Sequence, residues 1–418
     1  MDAASKLELL ADNSSLEPTE ERRIDPTQLA PCGHSPAELK RTVDSLPSPT
    51  GFPSPAGRGV RGEGSLKAKQ DSLGIHHAMM PGGKTIALLK TMLTSACERD
   101  CYYCPFRAGR DFRRATFKPE EMAQTFNDLQ RSRVAEGLFL SSGIAGGGVR
   151  TQDKLIDTID VLRHKLNYRG YVHLKIMPGT ERDQVLRAMQ LADRISINLE
   201  APNSRRLADL APHKIFLEEL LKPLQWAEEI RKTQPARLGW NGKWPSLTTQ
   251  FVVGAVGEND LEILATTSYL TKQLRLARAY FSAFNPVKDT PLENHAPENP
   301  WREHRLYQSS FLLRDYGFDL EDLPFLQTGF LPLDIDPKIA WARQNLVDKP
   351  IEVNRADRRE LLRVPGIGPK GVDAILVARR KGTLRDLKDL KMLGVLVARA
   401  APFVLLNGQR PQWQLSLW

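Results

Sequence analysis

Cys97-Glu98-Arg99-Asp100-Cys101-Tyr102-Tyr103-Cys104 decides how this chain is read. The segment holds three of the four cysteines, at C-x3-C-x2-C spacing. Three thiolates on one tight loop suit one metal centre. They are one short of the four that an ordinary [4Fe–4S] cluster takes from protein. The shortfall would leave one iron open to a small molecule. Other readings exist. Buried, unligated cysteines need no such spacing. Zinc and electron-transfer clusters take a further ligand. No Cys or His follows within a dozen residues, and His76 and His77 are the nearest upstream histidines. Cys32, in Pro31-Cys32-Gly33-His34, is a conceivable fourth ligand but reads more simply as a free thiol.

Outward from the cysteines the pattern alternates. A strand-like run, Thr85 to Leu93, leads into Cys97. Phe117-Lys118-Pro119-Glu120-Glu121 opens a helix, with proline and acids in its first turn. Strands are expected over 137–143, 171–177, 194–200, 247–254 and 278–284. Helices are expected between them, over 153–166, 183–192, 218–233 and 259–273. This order predicts a parallel sheet with crossover helices. Ligands then gather where strand C-termini meet the following loops. Gly82-Gly83-Lys84-Thr85 imitates a phosphate loop, but position 78 is Ala and a strand follows, so ATP binding is rejected.

The cysteine spacing, with an aromatic before the last cysteine, resembles the signature of the radical S-adenosylmethionine (SAM) superfamily. The six strand–helix units resemble its partial (β/α)6 barrel. The resemblance implies a [4Fe–4S] cluster on Cys97, Cys101 and Cys104, with SAM chelating the open iron. It implies one-electron cleavage of SAM to methionine and a 5′-deoxyadenosyl radical that abstracts hydrogen from substrate. It also implies cofactor contacts. Tyr103 would lie near the adenine. Ser141-Ser142-Gly143 stands where relatives carry a Gly-Gly-Glu-like segment for the SAM amino group, and it lacks the acid. Lys175 would face the SAM carboxylate, and Asn198 and Glu200, which end the fourth expected strand and share one face by alternation, its ribose or carboxylate. Gly254 opens a glycine-rich turn near the adenosine. Each has a plainer alternative: a tight turn, an outer-layer ion pair, or a strand-end or helix cap. Arg107, Arg110, Arg113 and Arg114 could bind substrate phosphates, or form a solvated run.

The C-terminal residues read differently. From Lys338 to Trp418 there are 16 Lys and Arg against 7 Asp and Glu. Of totals of 59 and 50, this leaves 43 of each sign elsewhere. A neutral body with a basic module predicts a polyanion partner. Residues 355–364 and 370–380 read as helices around Pro365-Gly366-Ile367-Gly368-Pro369, and 384–395 as a degraded second copy. This resembles the helix-hairpin-helix of DNA-binding proteins, in which exposed backbone N–H groups receive a phosphate. Gly366, Gly368, Lys370, Arg379 and Arg380 are the implied contacts. A protein–protein use of the hairpin is the alternative.

The expected fold is thus α/β: a partial (β/α)6 radical SAM barrel plus a small all-α helix-hairpin-helix domain. Expected boundaries are 1–70, a polar and largely extended or disordered segment with a helix only at Lys6 to Asp12; 71–335, the barrel; and 336–418, the basic module. No apolar run reaches the ~18 residues that span a bilayer. The N-terminus lacks an apolar signal core. A soluble, cytoplasmic protein with no membrane partner is expected.

Residues ~75 to 410 resemble the uncharacterised family described as DNA modification/repair radical SAM proteins. Lys90 to Cys97, Leu138 to Gly143 and His173 to Gly179 carry that likeness. It implies an enzyme that modifies or repairs nucleic acid, DNA first, with an electron donor such as flavodoxin or ferredoxin. Rivals are an RNA- or tRNA-modifying radical SAM enzyme, an iron–sulfur DNA glycosylase, and a non-enzymatic DNA-binding redox sensor. The glycosylase type places four cysteines after its hairpin, whereas these three precede it.

Overall fold

The computed structural model describes residues 1–14, 69–79 and 85–412. Cys32, the Pro-rich run at 47–55, most of the polar segment and Gly82-Gly83-Lys84 lie outside the described residues. The chain divides into two compact units. The first is Met1–Glu258 with Lys272–Glu298; the second is Asn259–Thr271 with Asn299–Trp418. Residues 299–335, placed with the barrel by the sequence reading, group with the C-terminal segment.

The first unit is built on a seven-stranded sheet in the order β1 to β7. The strands are β1 Ile75–Met79, β2 Thr85–Met92, β3 Gly137–Ser141, β4 Tyr171–Lys175, β5 Arg194–Ser196, β6 Ser246–Val253 and β7 Arg278–Ala283. From β2 to β7 every pairing is parallel. The sheet curls as an open half-barrel, which bears out the expected six parallel strands. The addition is β1, an antiparallel edge strand on β2. Its sequence, Ile-His-His-Ala-Met, has too little apolar alternation to announce a strand.

Crossover helices follow the strands: α2 Pro119–Arg131, α3 Gly148–Asp160, α4 Arg182–Leu191, α5 Ser204–Leu210 and α6 Lys222–Thr233; α7 Asp260–Leu274, which follows β6 in the chain, belongs to the second unit as far as Thr271. Helix α1, Ala3–Ser14, turns Leu7 and Leu10 inward, and Lys6 Nζ pairs with Glu121 Oε1 of α2 at 2.6 Å. Helix α3 starts five residues before its expected Asp153. Gly148 is required there, because a Cβ would sit 2.0 Å from the Pro178 carbonyl oxygen. From α3, Gln152 Oε1 accepts from Met177 N–H at 2.8 Å, which fixes the turn after β4. After α3 the chain makes a π-turn, Val161–Lys165, that carries the fully buried Arg163.

The second unit contains α8 Pro300–Asp315, α9 Pro337–Asn345, α10 Arg358–Arg363, α11 Pro369–Ala378, α12 Leu387–Met392 and α13 Val397–Ala400. Leu361, Val364, Ile367, Val372, Ile375 and Leu390 fill its core. The unit is not all-α. Ile351–Glu352 (β8) pairs in parallel with Val404–Leu405 (β9). Two-residue strands leave no alternation to read in a sequence.

Candidate functional site

The cysteine loop leaves the C-terminal end of β2 and is tied down on every side. Ser95 N–H donates to Ala115 O at 3.0 Å, and Ala115 N–H returns to Ser95 Oγ at 2.9 Å. Glu98 N–H donates to Ile144 O at 2.8 Å, while its carboxylate accepts from the N–H groups of Gly146 and Gly147. Arg114 donates to the carbonyls of Ser95, Phe106, Arg107 and Arg110, gathering the returning chain into one knot. Arg110 donates to Pro105 O and Lys288 O, and Arg107 to Asp100 O. Three of the four arginines suggested for substrate phosphates therefore brace the loop; Arg113 is exposed.

The loop and the strand ends enclose one cleft of about 980 Å³, its open mouth included. Cys97, Cys101 and Cys104 line it, with Tyr103, Ser141, Ser142, Gly143, Lys175, Asn198 and Glu200. Of the cofactor contacts implied in the first unit, only Gly254 is not among the lining residues. Gly254 has φ +88°, and a Cβ there would overlap the Glu298 side chain, which accounts for the glycine without a ligand.

The route by which these residues arrive differs in places from the expectation. The fourth strand of the parallel set, β5, ends at Ser196, so strand alternation does not bring Asn198 and Glu200 to the cleft. The chain leaves the ladder and rejoins it by a single bridge between Glu200 and Phe251. Glu200 has φ +64°, a conformation a non-glycine residue adopts only at a cost. Gly143 is needed because a Cβ would lie 2.2 Å from the Ala96 carbonyl oxygen; its N–H donates to Thr94 O at 2.7 Å. Ser142 Oγ already donates to Gly143 O at 2.7 Å.

Three features of the cleft were not read from the sequence. Phe139 of β3 stacks on His173 of β4, with centroids 4.2 Å apart. Lys90 and Lys175 each reach 5.7 Å from the Phe139 centroid, giving the cleft a cationic floor. Burial holds the His173 imidazole neutral, far below its usual pKa, and its Nε2 lies 2.9 Å from Ser196 Oγ. The third feature is Lys214, in a loop with no periodic pattern to mark it. Its Nζ lies 3.1 Å from Glu200 Oε1. Burial would lower the Lys214 pKa, but the Cys101 sulfur as thiolate and the Glu200 carboxylate outweigh it and hold the ammonium charged. Burial also pushes the Cys101 thiol up, and burial with Glu200 keeps the Tyr103 phenol protonated.

Two observations test the fit to a cluster and its cosubstrate. Among the described residues no three His, Cys, Asp or Glu are spaced to share a single ion. A four-iron cluster instead takes one thiolate per iron, so its ligands stand apart. Asn198 Oδ1 is buried in the cleft wall without a hydrogen-bond partner, as an acceptor awaiting a donor would be. Residues 91–270 match the model of the radical SAM superfamily.

The chain carries a radical SAM domain. With it come the superfamily's cofactors, a [4Fe–4S] cluster and SAM. No curated protein matches the sequence. Among solved structures, the FeFe-hydrogenase maturase HydG from Carboxydothermus hydrogenoformans is similar at 15% identity over 54% of this chain and 51% of its own, TM-score 0.42. Methylornithine synthase (PylB) is similar at 14% over 73% and 76%, TM-score 0.44. The radical SAM methyltransferase TsrM from Kitasatospora setae is similar at 12% over 52% and 39%, TM-score 0.38. The chain spans about half the length of the HydG chains it matches. When bound, cluster and SAM supply one-electron bond cleavage and hydrogen abstraction. The domain's own residues would hold the cluster through Cys97, Cys101 and Cys104, and they present charge: Lys90, Lys175 and Lys214 against Glu200.

In the second unit, α10 and α11 flank the turn at Gly366. Gly366 has φ +83°, and a Cβ there would lie 2.4 Å from Leu396 O. A similar turn at Gly394, φ +79°, follows α12. Leu396 N–H donates to Gly366 O at 3.0 Å, so each turn props the other. Lys338 Nζ donates to Ile367 O at 2.8 Å below the first turn, and burial brings its pKa down to about 7. Gly368 caps α11, and Lys370 and Arg380 are exposed. Arg379 donates to Val353 O and Ala356 O, a bracing role rather than a free contact.

Proposed function

We propose that this radical SAM enzyme acts on a nucleic acid, DNA in the first place, and modifies or repairs it. The observation that carries the reading is the second unit's exposed charge. Lys370, Arg380, Lys381, Arg385, Lys388 and Lys391 are all exposed within one stretch of chain around the two glycine turns. Such a surface neutralises phosphates without reading sequence. Gly368 N–H, at the start of α11, adds a donor where the helix dipole is positive. The lysines of the first unit's cleft suit an anionic substrate as well.

A low-potential donor such as flavodoxin or ferredoxin would supply the electron, and the cytoplasm is the compartment that suits such a cluster. Among the described residues no helix is long and apolar enough to cross a membrane.

The test is binding of the full chain to duplex DNA and to RNA across 50–200 mM salt. If Lys370, Arg380 and one neighbour each neutralise a phosphate, log K against log salt has a slope of about −3. Lys370→Glu with Arg380→Glu then flattens it by about two. Tighter binding to RNA moves the target to RNA. Salt-independent binding, or none, contradicts the reading. Mass spectrometry of nucleosides from a deletion strain and its parent would then identify the altered base.

A further inference from the structure

The segment 210–219, from the end of α5 through a loop into the π-helical turn Phe216–Leu221, is clasped onto the cysteine loop. Tyr102 N–H donates to Leu210 O at 2.9 Å. Arg99 donates to His213 O and pairs with Glu219 Oε1 at 2.6 Å. His213 Nδ1 meets Asp100 Oδ2 at 2.8 Å. Every one of these partners on the cysteine side lies between Cys97 and Cys104. The clasp carries Lys214 into the cleft, against the Cys101 thiol. Glu200 comes from the other side, through its left-handed backbone, to pair with it. Both side chains are nine-tenths buried or more.

A buried ion pair is a poor source of stability, because desolvation offsets its attraction. Strained backbone persists only where the surroundings fix it, and it clusters at working sites. The pair therefore needs a reason. Reduction adds a negative charge at the cluster. A buried ammonium beside a ligating sulfur favours the reduced form; a carboxylate behind it limits the gain. Net charge and hydrogen bonds to sulfur are the known levers on iron–sulfur potentials.

We propose that the Lys214–Glu200 pair sets the cluster's reduction potential, Lys214 raising it and Glu200 tempering the rise. Lys214 is thus a positioning residue for charge, acting through Cys101. The step it governs is one-electron uptake from an external low-potential donor, with no bond made or broken in the protein. The inference rests on the radical SAM reading of the cleft.

The test is an EPR-monitored redox titration of the full-length, reconstituted protein without SAM, with iron and sulfide content measured in parallel. Lys214→Met is expected to lower the equilibrium constant for reduction about tenfold, which is about 59 mV more negative for one electron. Glu200→Gln is expected to shift it the opposite way. Lys214→Arg, which keeps the charge, is expected to stay within about twofold of the parent. A purely structural role would move both neutralising variants in one direction or in neither, and either result overturns the proposal. Should Lys214→Met fail to hold iron, Glu200→Gln decides: a higher constant supports the proposal, and an unchanged or lower one overturns it. A parent protein with no reducible four-iron centre would instead overturn the reading of the cleft itself.

Discussion

Cys101→Ser is expected to abolish the cluster. Cys101 is the most buried of the three cysteines, 5% exposed, and the one against Lys214. Its neighbours are fixed by the clasp and by Arg114, so neither Cys97 nor Cys104 can swing into its place. Removing even an outer-shell partner of a metal ligand typically costs 10–100-fold in affinity or activity. Loss of a direct ligand should exceed about a hundredfold. The reconstituted variant should retain little iron and sulfide and should form no 5′-deoxyadenosine from SAM under reducing conditions. Cys32→Ser is the control and is expected to keep both. Full iron content in Cys101→Ser, or its loss in Cys32→Ser, would mean that the ligand set has been misassigned.

Arg163→Ala should cost the first unit about 3–5 kcal/mol, the range for breaking a buried charge network by removing one partner. Arg163 Nε donates to Leu191 O at 3.0 Å, and Nη1 to Tyr168 O and Gly170 O at 3.0 and 2.7 Å. Its Nη2 pairs with Asp193 Oδ2 at 3.0 Å, and the guanidinium lies 3.8 Å from the Trp240 ring centroid. The oxygen acceptors precede β4 and β5, at the end of the sheet away from the cysteines. The substitution strands three carbonyls and a carboxylate together. Urea unfolding followed by the cluster's absorbance reads the loss. Arg163→Lys should rescue little, because one ammonium cannot serve four acceptors spread over a fork. A loss under about 1 kcal/mol would show that water replaces the guanidinium easily.

Much of the radical SAM domain was legible because its physics is local. Buried parallel strands read as apolar runs, and Pro119 with two acids marks the start of α2. The cysteines announce themselves by spacing. What escaped depends on tertiary contact. The run Gly146-Gly147-Gly148 looks like a loop, yet a helix begins in it because only glycine lets α3 approach the Pro178 carbonyl. Alternation placed Asn198 and Glu200 on one face; both do reach the cleft, but past the end of β5 and through a left-handed residue. Lys214 sits in Pro212-His213-Lys214, where no periodicity exists, and its partners are Glu200 and, more than a hundred residues earlier, Cys101. The arginines after the cysteines looked like free charge until their carbonyl acceptors were seen.

The central claim is an iron that protein leaves uncoordinated and SAM completes. The most direct test is the EPR spectrum of the reduced, reconstituted full-length protein before and after adding SAM. A vacant iron predicts a changed signal on addition of SAM, and 5′-deoxyadenosine in the same sample. A spectrum identical with and without SAM would contradict it.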